Sequence, residues 1–311
     1  MRPTFLTLHV GAHEVGLHSY GILIAVGLAV GLFIAAREAR RRDLDVGRVL
    51  DFAFWAIVAG FVGSRVTYGL VNLGDFARAC AGSDAGPRGL GDVLSDCTGI
   101  LHVWEGGLVF YGGVAGAAIV AAVFARRNGW SFWVMADVFA PALAFGHALG
   151  RLGCFAAGCC FGKETTGGWG VPFPAGSVAF EELGSLGQLA PGASFTPPLH
   201  PTQLYEAAGE ALLGVALLIA RPRLRARPGA LALMYGCAYA ALRFGVELFR
   251  GDVARRYVVE LATPGLARLL GVPTSEPVLF SVGQLGSLTL LVVCAVVLAR
   301  RRGAPLVAKR G

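Results

Sequence analysis

Seven apolar stretches of about 20 residues punctuate the chain, at roughly 17–36, 49–71, 104–125, 131–153, 203–220, 229–249 and 278–299. As helix, at about 1.5 Å per residue, each is long enough to cross a hydrocarbon core of ~30 Å. No water is available there, so a spanning segment has to satisfy its own backbone hydrogen bonds, and helices do so within one segment. Composition points the same way: 55% of the 311 residues are hydrophobic and 15% charged, where a soluble domain carries about 25% charged. The 45 glycines show no three-residue period, and no heptad runs through the apolar stretches, which excludes collagen and coiled coil. The predicted class is an all-α polytopic membrane protein, one seven-helix domain over residues 1–311. Sixteen residues with Arg2 as their one Lys or Arg precede the first stretch, and no clear small-residue cleavage site follows them. That stretch therefore reads as a retained helix and not as a removed signal peptide.

The net charge is +7. In a soluble chain that would suggest nucleic acid, but here the basic residues sit in short clusters between apolar runs. Arg37, Arg40, Arg41, Arg42 and Arg48 follow the first stretch, Arg126 and Arg127 the third, Arg221, Arg223, Arg225 and Arg227 the fifth, and Arg300, Arg301, Arg302, Lys309 and Arg310 the seventh. These sixteen of the 27 basic residues fall on one side of the membrane. The positive-inside rule then puts the N-terminus outside and the C-terminus in the cytoplasm. The remaining loops, 72–103, 154–202 and 250–277, are longer and poor in Lys and Arg, and are expected to form a small extracytoplasmic cap. No nucleic-acid partner is expected. The seven cysteines contain no CxxC pair and no Cys/His spacing of a structural zinc site, so neither metal nor cofactor is expected. Cys80 and Cys97 share one external loop, where the compartment permits a disulfide.

Three arginines lie inside the apolar stretches: Arg65, Arg151 and Arg243. An arginine in hydrocarbon costs at least ~2.5 kcal/mol, so an intramembrane one marks a functional site by default. With the helices oriented as above, all three fall within about two turns of the external boundary. Tyr20, Tyr111 and Glu206, on the inward-running helices, come to the same depth. His147 stands one turn from Arg151, and Glu247 one turn from Arg243, on shared helix faces. Asp51 and Asp137 lie nearer the cytoplasm. The external layer suits a phospholipid headgroup, because guanidinium groups present forked donors to phosphate and stay charged at any working pH. Glycines flank the layer at 106, 107, 112, 113, 146, 150, 153 and 158, where missing side chains let helices or a bulky lipid come close, although plain helix packing uses the same spacing. Pro141 is expected to kink the fourth span. Arg243 with Glu247 also fits a purely structural ion pair, and His147 a packing residue.

Taken in order, eight blocks resemble the bacterial prolipoprotein diacylglyceryl transferases. They are His18-Ser-Tyr-Gly21, Gly63-Ser-Arg-Val-Thr-Tyr68, Trp104-Glu-Gly-Gly-Leu-Val-Phe-Tyr-Gly-Gly113, Asp137-Val-Phe-Ala-Pro141, Gly150-Arg-Leu-Gly-Cys-Phe-Ala-Ala-Gly-Cys-Cys-Phe-Gly162, Trp169-Gly-Val171, His200-Pro-Thr-Gln-Leu-Tyr-Glu206 and Arg243-Phe-Gly-Val-Glu-Leu-Phe-Arg250. The resemblance implies a bacterial inner-membrane enzyme that moves the diacylglyceryl group of phosphatidylglycerol onto the lipobox cysteine of a prolipoprotein and releases glycerol 1-phosphate. It implies lipid-handling roles for Arg151 and Arg243, and functional roles for Tyr20 and Glu247. The chain departs from the family pattern at four positions. Tyr111 stands where the family has His before Gly-Gly. Cys154, Ala157 and Cys159 stand where its Gly-Arg-x-Gly-Asn-Phe-x-Asn-x-Glu motif has Asn, Asn and Glu.

The expected chemistry is alkyl transfer to sulfur. A thiol with a pKa near 8.5 needs a base or a positive field to attack at neutral pH. His147 is the first candidate base. Tyr111 is expected to donate a hydrogen bond to lipid, since a phenol is a weak base at that pH. Arg151 and Arg243 would hold the departing phosphate, and Glu247 would orient Arg243. Arg65, Glu206, Cys154 and Gly162 complete the expected substrate-binding set. Two other readings stand beside this one: a transferase of the same fold with a different acceptor, and a lipid-binding or transport protein that uses the arginine layer without chemistry.

Overall fold

The helices follow the apolar periodicity, with ends set by identifiable caps. In the computed structural model the described residues are 4–10, 13–81, 109–252, 255–261 and 263–302. Helix α1 spans Ser19–Arg41, α2 Val46–Val71, α3 Leu73–Ala81, α4 Phe110–Asn128, α5 Phe132–Ala157, α6 Val178–Ser185, α7 Thr202–Leu224, α8 Ala230–Glu247, α9 Pro264–Leu270 and α10 Val282–Arg302. Five of them, α1, α2, α5, α7 and α10, are long and apolar enough to cross a membrane. Helices of 19 and 18 residues, α4 and α8, occupy the other two expected positions. Their surfaces carry large apolar side chains that water would not tolerate, among them Phe33, Phe54, Trp55, Leu70, Ile119, Leu212, Ile219 and Val292. This is a polytopic, mostly helical membrane protein.

Two small sheets depart from the all-α expectation. Strands β1 (Thr4–Val10) and β2 (His13–His18) form an antiparallel hairpin, and β3 (Tyr257–Leu261) pairs antiparallel with β4 (Leu279–Ser281). The sequence signal was present in Thr4–Val10, where polar and apolar residues largely alternate as in a strand, but the segments are short beside the helical runs. α5 also runs unbroken through Pro141 to Ala157, four residues beyond the expected end of that span.

The chain divides into two compact units, Ala36–Met135 and Met1–Ala35 with Ala136–Gly311. In the first, α2 and α4 pack through glycines. A Cβ on Gly63 would strike the Gly112 carbonyl, and one on Gly116 the Ala59 carbonyl, so this close approach admits no side chain. Ser64 Oγ donates to the Val109 carbonyl at 2.9 Å, tying the start of α4 to α2. Asp45 caps α2 by accepting the Arg48 amide.

The second unit carries the buried charges. Here α1 meets α5 where Gly27 faces Gly146 and Gly31 faces Ala142. The N-terminus of α8 is capped from α5: the amides of Gly229 and Ala232 donate to Asp137 at 2.8 and 2.9 Å. That explains a fully buried aspartate in the fourth expected span without any role in chemistry. Beyond α5 the chain folds over a small core of Phe161, Phe173, Ala179, Leu183 and Leu199. It is stitched by single bridges Gly162 to Arg250 and Val171 to Leu199. A second small core of Ala267, Val272 and Val278 follows α8.

Candidate active site

Glu206 lies in the first turns of α7 with 1% of its surface exposed. Such a carboxylate survives burial only if it is paired, and it is paired twice. From α5, Arg151 places Nε at 3.0 Å from one carboxylate oxygen and donates through a terminal nitrogen to the other at 3.2 Å. From α8, Arg243 donates to the first oxygen at 3.1 Å. Three helices are thus joined at one point, and the two guanidinium groups expected to share a depth meet on a common carboxylate. The structure gives Glu206 a central place, where sequence reasoning had set it among the residues lining a cavity. Each arginine side chain keeps 15% of its surface open, so both remain reachable by a ligand.

Two branches leave this centre. Along α5, Arg151 Nε donates to His147 Nε2 at 3.2 Å. An arginine can only donate, so Nε2 accepts and the His147 proton resides on Nδ1. Nδ1 faces Glu210 at 2.8 Å, to which Tyr235 also donates its hydroxyl at 3.2 Å. The Tyr239 ring stands edge-on to the imidazole, with centroids 5.6 Å apart. Glu210 is wholly buried one turn below Glu206. Sequence reasoning missed it, although the same argument that singled out the intramembrane arginines applies to an intramembrane acid.

Along α8, Arg243 reaches Glu247 at 2.8 Å, the expected one-turn pair. Glu247 is itself enmeshed: Ser281 Oγ donates to it at 3.1 Å, and Arg255 and Arg250 approach to 3.6 and 3.9 Å. Gly283 presses against it, since a Cβ there would lie 2.7 Å from the carboxylate carbon. Arg250 forks onto Asp252 at 2.7 and 2.6 Å. Burial opposes its charge, but the Asp252 carboxylate outweighs that and raises its pKa. Arg250, Asp252 and Arg255 fall in the expected external loop 250–277, and nothing in their spacing marked them as a shield around Glu247.

The remaining expected residues are placed as follows. Tyr20, at the start of α1, packs its ring against Gly153, where a Cβ would meet the ring at 3.1 Å. Cys154, in the last turn of α5, lies with Cys159 and Cys160, all three sulfurs within 4.8 Å of one another. Gly162 serves backbone packing: a Cβ there would run into His200 at 2.5 Å and the Phe249 carbonyl at 2.8 Å. Arg65 and Tyr111 belong to the other compact unit. Arg65 is buried, its guanidinium 5.0 Å from the centre of the Tyr68 ring. Tyr111 sits in the first turn of α4, and its side chain lies outside the described residues, as does Cys97, the expected partner of Cys80. Cys80 is disulfide-bonded.

A multi-helix membrane protein in which buried arginines and glutamates link three helices belongs among the enzymes and carriers that handle charged headgroups. The comparisons narrow this class. A sequence model of the prolipoprotein diacylglyceryl transferase family matches residues 7–300, and the chain belongs to that family. It is 31% identical over 250 residues to the phosphatidylglycerol–prolipoprotein diacylglyceryl transferase of Thermosynechococcus vestitus, covering 79% of this chain and 81% of that one. It is 33% identical to the enzyme of the same name from Geobacillus kaustophilus, over 79% and 80% of the two chains. Against that of Listeria welshimeri the identity is 32%, over 75% and 74%.

Proposed function

We propose that this protein transfers the diacylglyceryl group of phosphatidylglycerol to the lipobox cysteine thiol of a prolipoprotein, releasing glycerol 1-phosphate. The lipid enters a layer in the outer half of a bacterial inner membrane, within a seven-span topology whose N-terminus is external. The observation that carries the reading is the pairing of Arg151 and Arg243 on Glu206. Two partly open guanidinium groups, fixed by a carboxylate between them, present convergent donors to one phosphate. The relatives that share most of this chain's length are named for this reaction.

The acceptor thiol is the nucleophile. Its sulfur bonds to the glyceryl carbon, the carbon–oxygen bond to phosphate breaks, and the electron pair leaves with the phosphate between Arg151 and Arg243. The thiol proton goes to His147 Nε2. In the resting arrangement that nitrogen is occupied by Arg151. An incoming phosphate competes for the same guanidinium, so lipid binding itself uncovers the base, and Glu210 on Nδ1 supports the imidazolium that forms. Glu247 holds Arg243 in its orientation. Tyr20, against Gly153 at the outer end of α5, adds to the lipid-facing surface of this unit.

A second reading keeps the fold and donor but changes the acceptor. The four motif departures, with Tyr111 and the Cys154, Cys159 cluster foremost, favour it. One experiment addresses both. The purified protein is incubated with phosphatidylglycerol and a lipobox peptide, and mass spectrometry follows the peptide while glycerol phosphate is assayed. A peptide gaining the diacylglyceryl mass supports the first reading; glycerol phosphate release without peptide modification moves the case to the second. Absence of both products refutes transferase activity. His147→Gln is expected to abolish transfer while phosphatidylglycerol binding persists, and full activity in that variant removes His147 from the mechanism.

A further inference from the structure

Three thiols crowd the end of α5 and the turn after it. Cys154 stands in the last helical turn, and Cys159 and Cys160 follow Gly158. The turn is folded tightly for the purpose. Gly158 takes φ 76, and a Cβ there would lie 2.8 Å from Ser177 Cβ. Cys160 adopts φ 57, a left-handed conformation that a non-glycine residue enters only when its surroundings hold it there. They do so from α7. Thr202 Oγ1 donates to the Cys160 carbonyl at 2.7 Å and Gln203 Nε2 to the Cys159 carbonyl at 2.7 Å. Both side chains are 1% exposed. The Gln203 amide oxygen, on the same group that clamps Cys159, is left without a hydrogen-bond partner.

The result is three half-buried sulfurs within 4.8 Å of one another. Cys159 Sγ also donates to the Cys154 carbonyl at 3.8 Å. A metal–sulfur bond of about 2.3 Å sets donors of one trigonal or tetrahedral centre ~3.8–4.0 Å apart, so little movement separates this spacing from a coordination shell. Among the described residues no imidazole or carboxylate joins the three sulfurs.

From this geometry we infer that Cys154, Cys159 and Cys160 form a binding site for a soft, thiophilic d10 cation, with Cu(I) in three-coordinate sulfur ligation the best match. Three sulfurs with no nitrogen or oxygen donor select soft ions. A three-donor set suits Cu(I) better than Zn(II), which favours four ligands. The i, i+5, i+6 spacing across a helix end resembles none of the CxxC patterns by which such sites are recognised, so the sequence alone argued against a metal. The assignment does not depend on the transfer reaction proposed above: the three sulfurs would hold a metal whether or not that activity is found.

The test uses the full-length protein in detergent, reduced under argon and freed of reductant. It is titrated with Cu(I) presented as its bicinchoninate complex, and in parallel with Zn(II). One Cu(I) per chain, with sulfur-to-metal charge-transfer absorption, only sulfur neighbours by X-ray absorption and weaker uptake of Zn(II), is the expected result. Bound Cu(I) should also protect Cys154, Cys159 and Cys160 from maleimide, read peptide by peptide. Cys154→Ser, Cys159→Ser and Cys160→Ser should each weaken Cu(I) by ~10–100-fold or more, a range that loss of a mere outer-sphere partner already reaches. Cys237→Ala and Cys294→Ala should change nothing. The maleimide pattern of the wild-type protein keeps the test valid should a serine variant fold poorly. Failure of the reduced wild type to take up Cu(I), Zn(II) bound more tightly than Cu(I), or protection falling on Cys237 and Cys294 instead, overturns the assignment.

Discussion

Glu206→Gln is the most informative single change, because it alters one charge and almost no volume. In the native protein one carboxylate oxygen accepts from Arg243 and the other from Arg151, with Arg151 Nε a further 3.0 Å ion-pair contact to the first. Glutamine offers one carbonyl oxygen, and its amide nitrogen turns a donor toward guanidinium groups that have only donors. One arginine then loses its partner outright, and both lose the compensating charge in a site where Glu206 is 1% exposed. Breaking a buried pair from one side costs about 3–5 kcal/mol. If that loss falls on the arrangement needed for phosphate departure, it corresponds to roughly 10²–10⁴-fold in rate. The assay pairs glycerol phosphate release with thermal unfolding in the same detergent. The expected outcome is a lower unfolding temperature together with a rate loss of that order, and a smaller defect in Glu206→Asp, which restores the charge. A Glu206→Gln protein with native unfolding temperature and activity within about threefold would refute the reasoning: the carboxylate would then not be what holds the two arginines in place.

Three further outcomes are expected. Glu210→Gln keeps an acceptor for His147 Nδ1 but removes the charge that supports the imidazolium, so kcat should fall by ~10²-fold, within the range of general-base contributions, with phosphatidylglycerol binding retained. Unchanged kcat would take Glu210 out of the proton path. Gly283→Ala places a methyl 2.7 Å from the Glu247 carboxylate carbon and should destabilise by about 1–3 kcal/mol, read as a lowered unfolding temperature, and a neutral result would show that Glu247 can yield there. Lys163, buried beside the Pro277 carbonyl and Glu276, is pushed by burial from 10.5 to about 8. The unfolded chain therefore binds more protons between those values, and stability should rise with pH across that window. Comparing unfolding temperatures of the wild-type protein and Lys163→Met from pH 8 to 10 checks the sign: the difference between them should shift in favour of the wild type as pH rises.

The helices and the arginine–glutamate centre were legible because each rests on a one-body cost. A run of 20 apolar residues has few places to go but a membrane, and an arginine inside one needs a partner. On that cost alone Arg151, Arg243, His147 and Glu247 fall in one neighbourhood. Depth does not decide which of them pair. Whether Glu206 or Glu247 would bridge the arginines turns on helix rotation, which a residue's distance from a span end does not specify. The β3–β4 pair and the folded segment 158–201 depend on packing between distant short pieces such as Phe161 with Leu199, for which no periodicity exists to be read. Asp137 shows the converse error to avoid: a buried intramembrane acid, conspicuous by the same cost argument, turns out to cap a helix.

That last contrast separates structural from functional burial within one membrane protein. The Asp137 oxygens accept from two backbone amides that no ligand could displace without unwinding the start of α8. Glu206 accepts from side chains that are flexible, still 15% open, and able to turn toward a second anion. An anionic headgroup arriving at Arg151 and Arg243 need not break the Glu206 pairs, because each guanidinium carries five donors and the bonds to Glu206 use a minority of them. The one contact placed to give way is Arg151 to His147 Nε2, at 3.2 Å and between a charged donor and a neutral acceptor. The weakest link around Arg151 is thus the one whose release the chemistry requires. Phosphatidylglycerol bound to the resting protein should therefore move the His147 Nε2 nitrogen resonance while leaving that of Nδ1, held by Glu210, nearly in place.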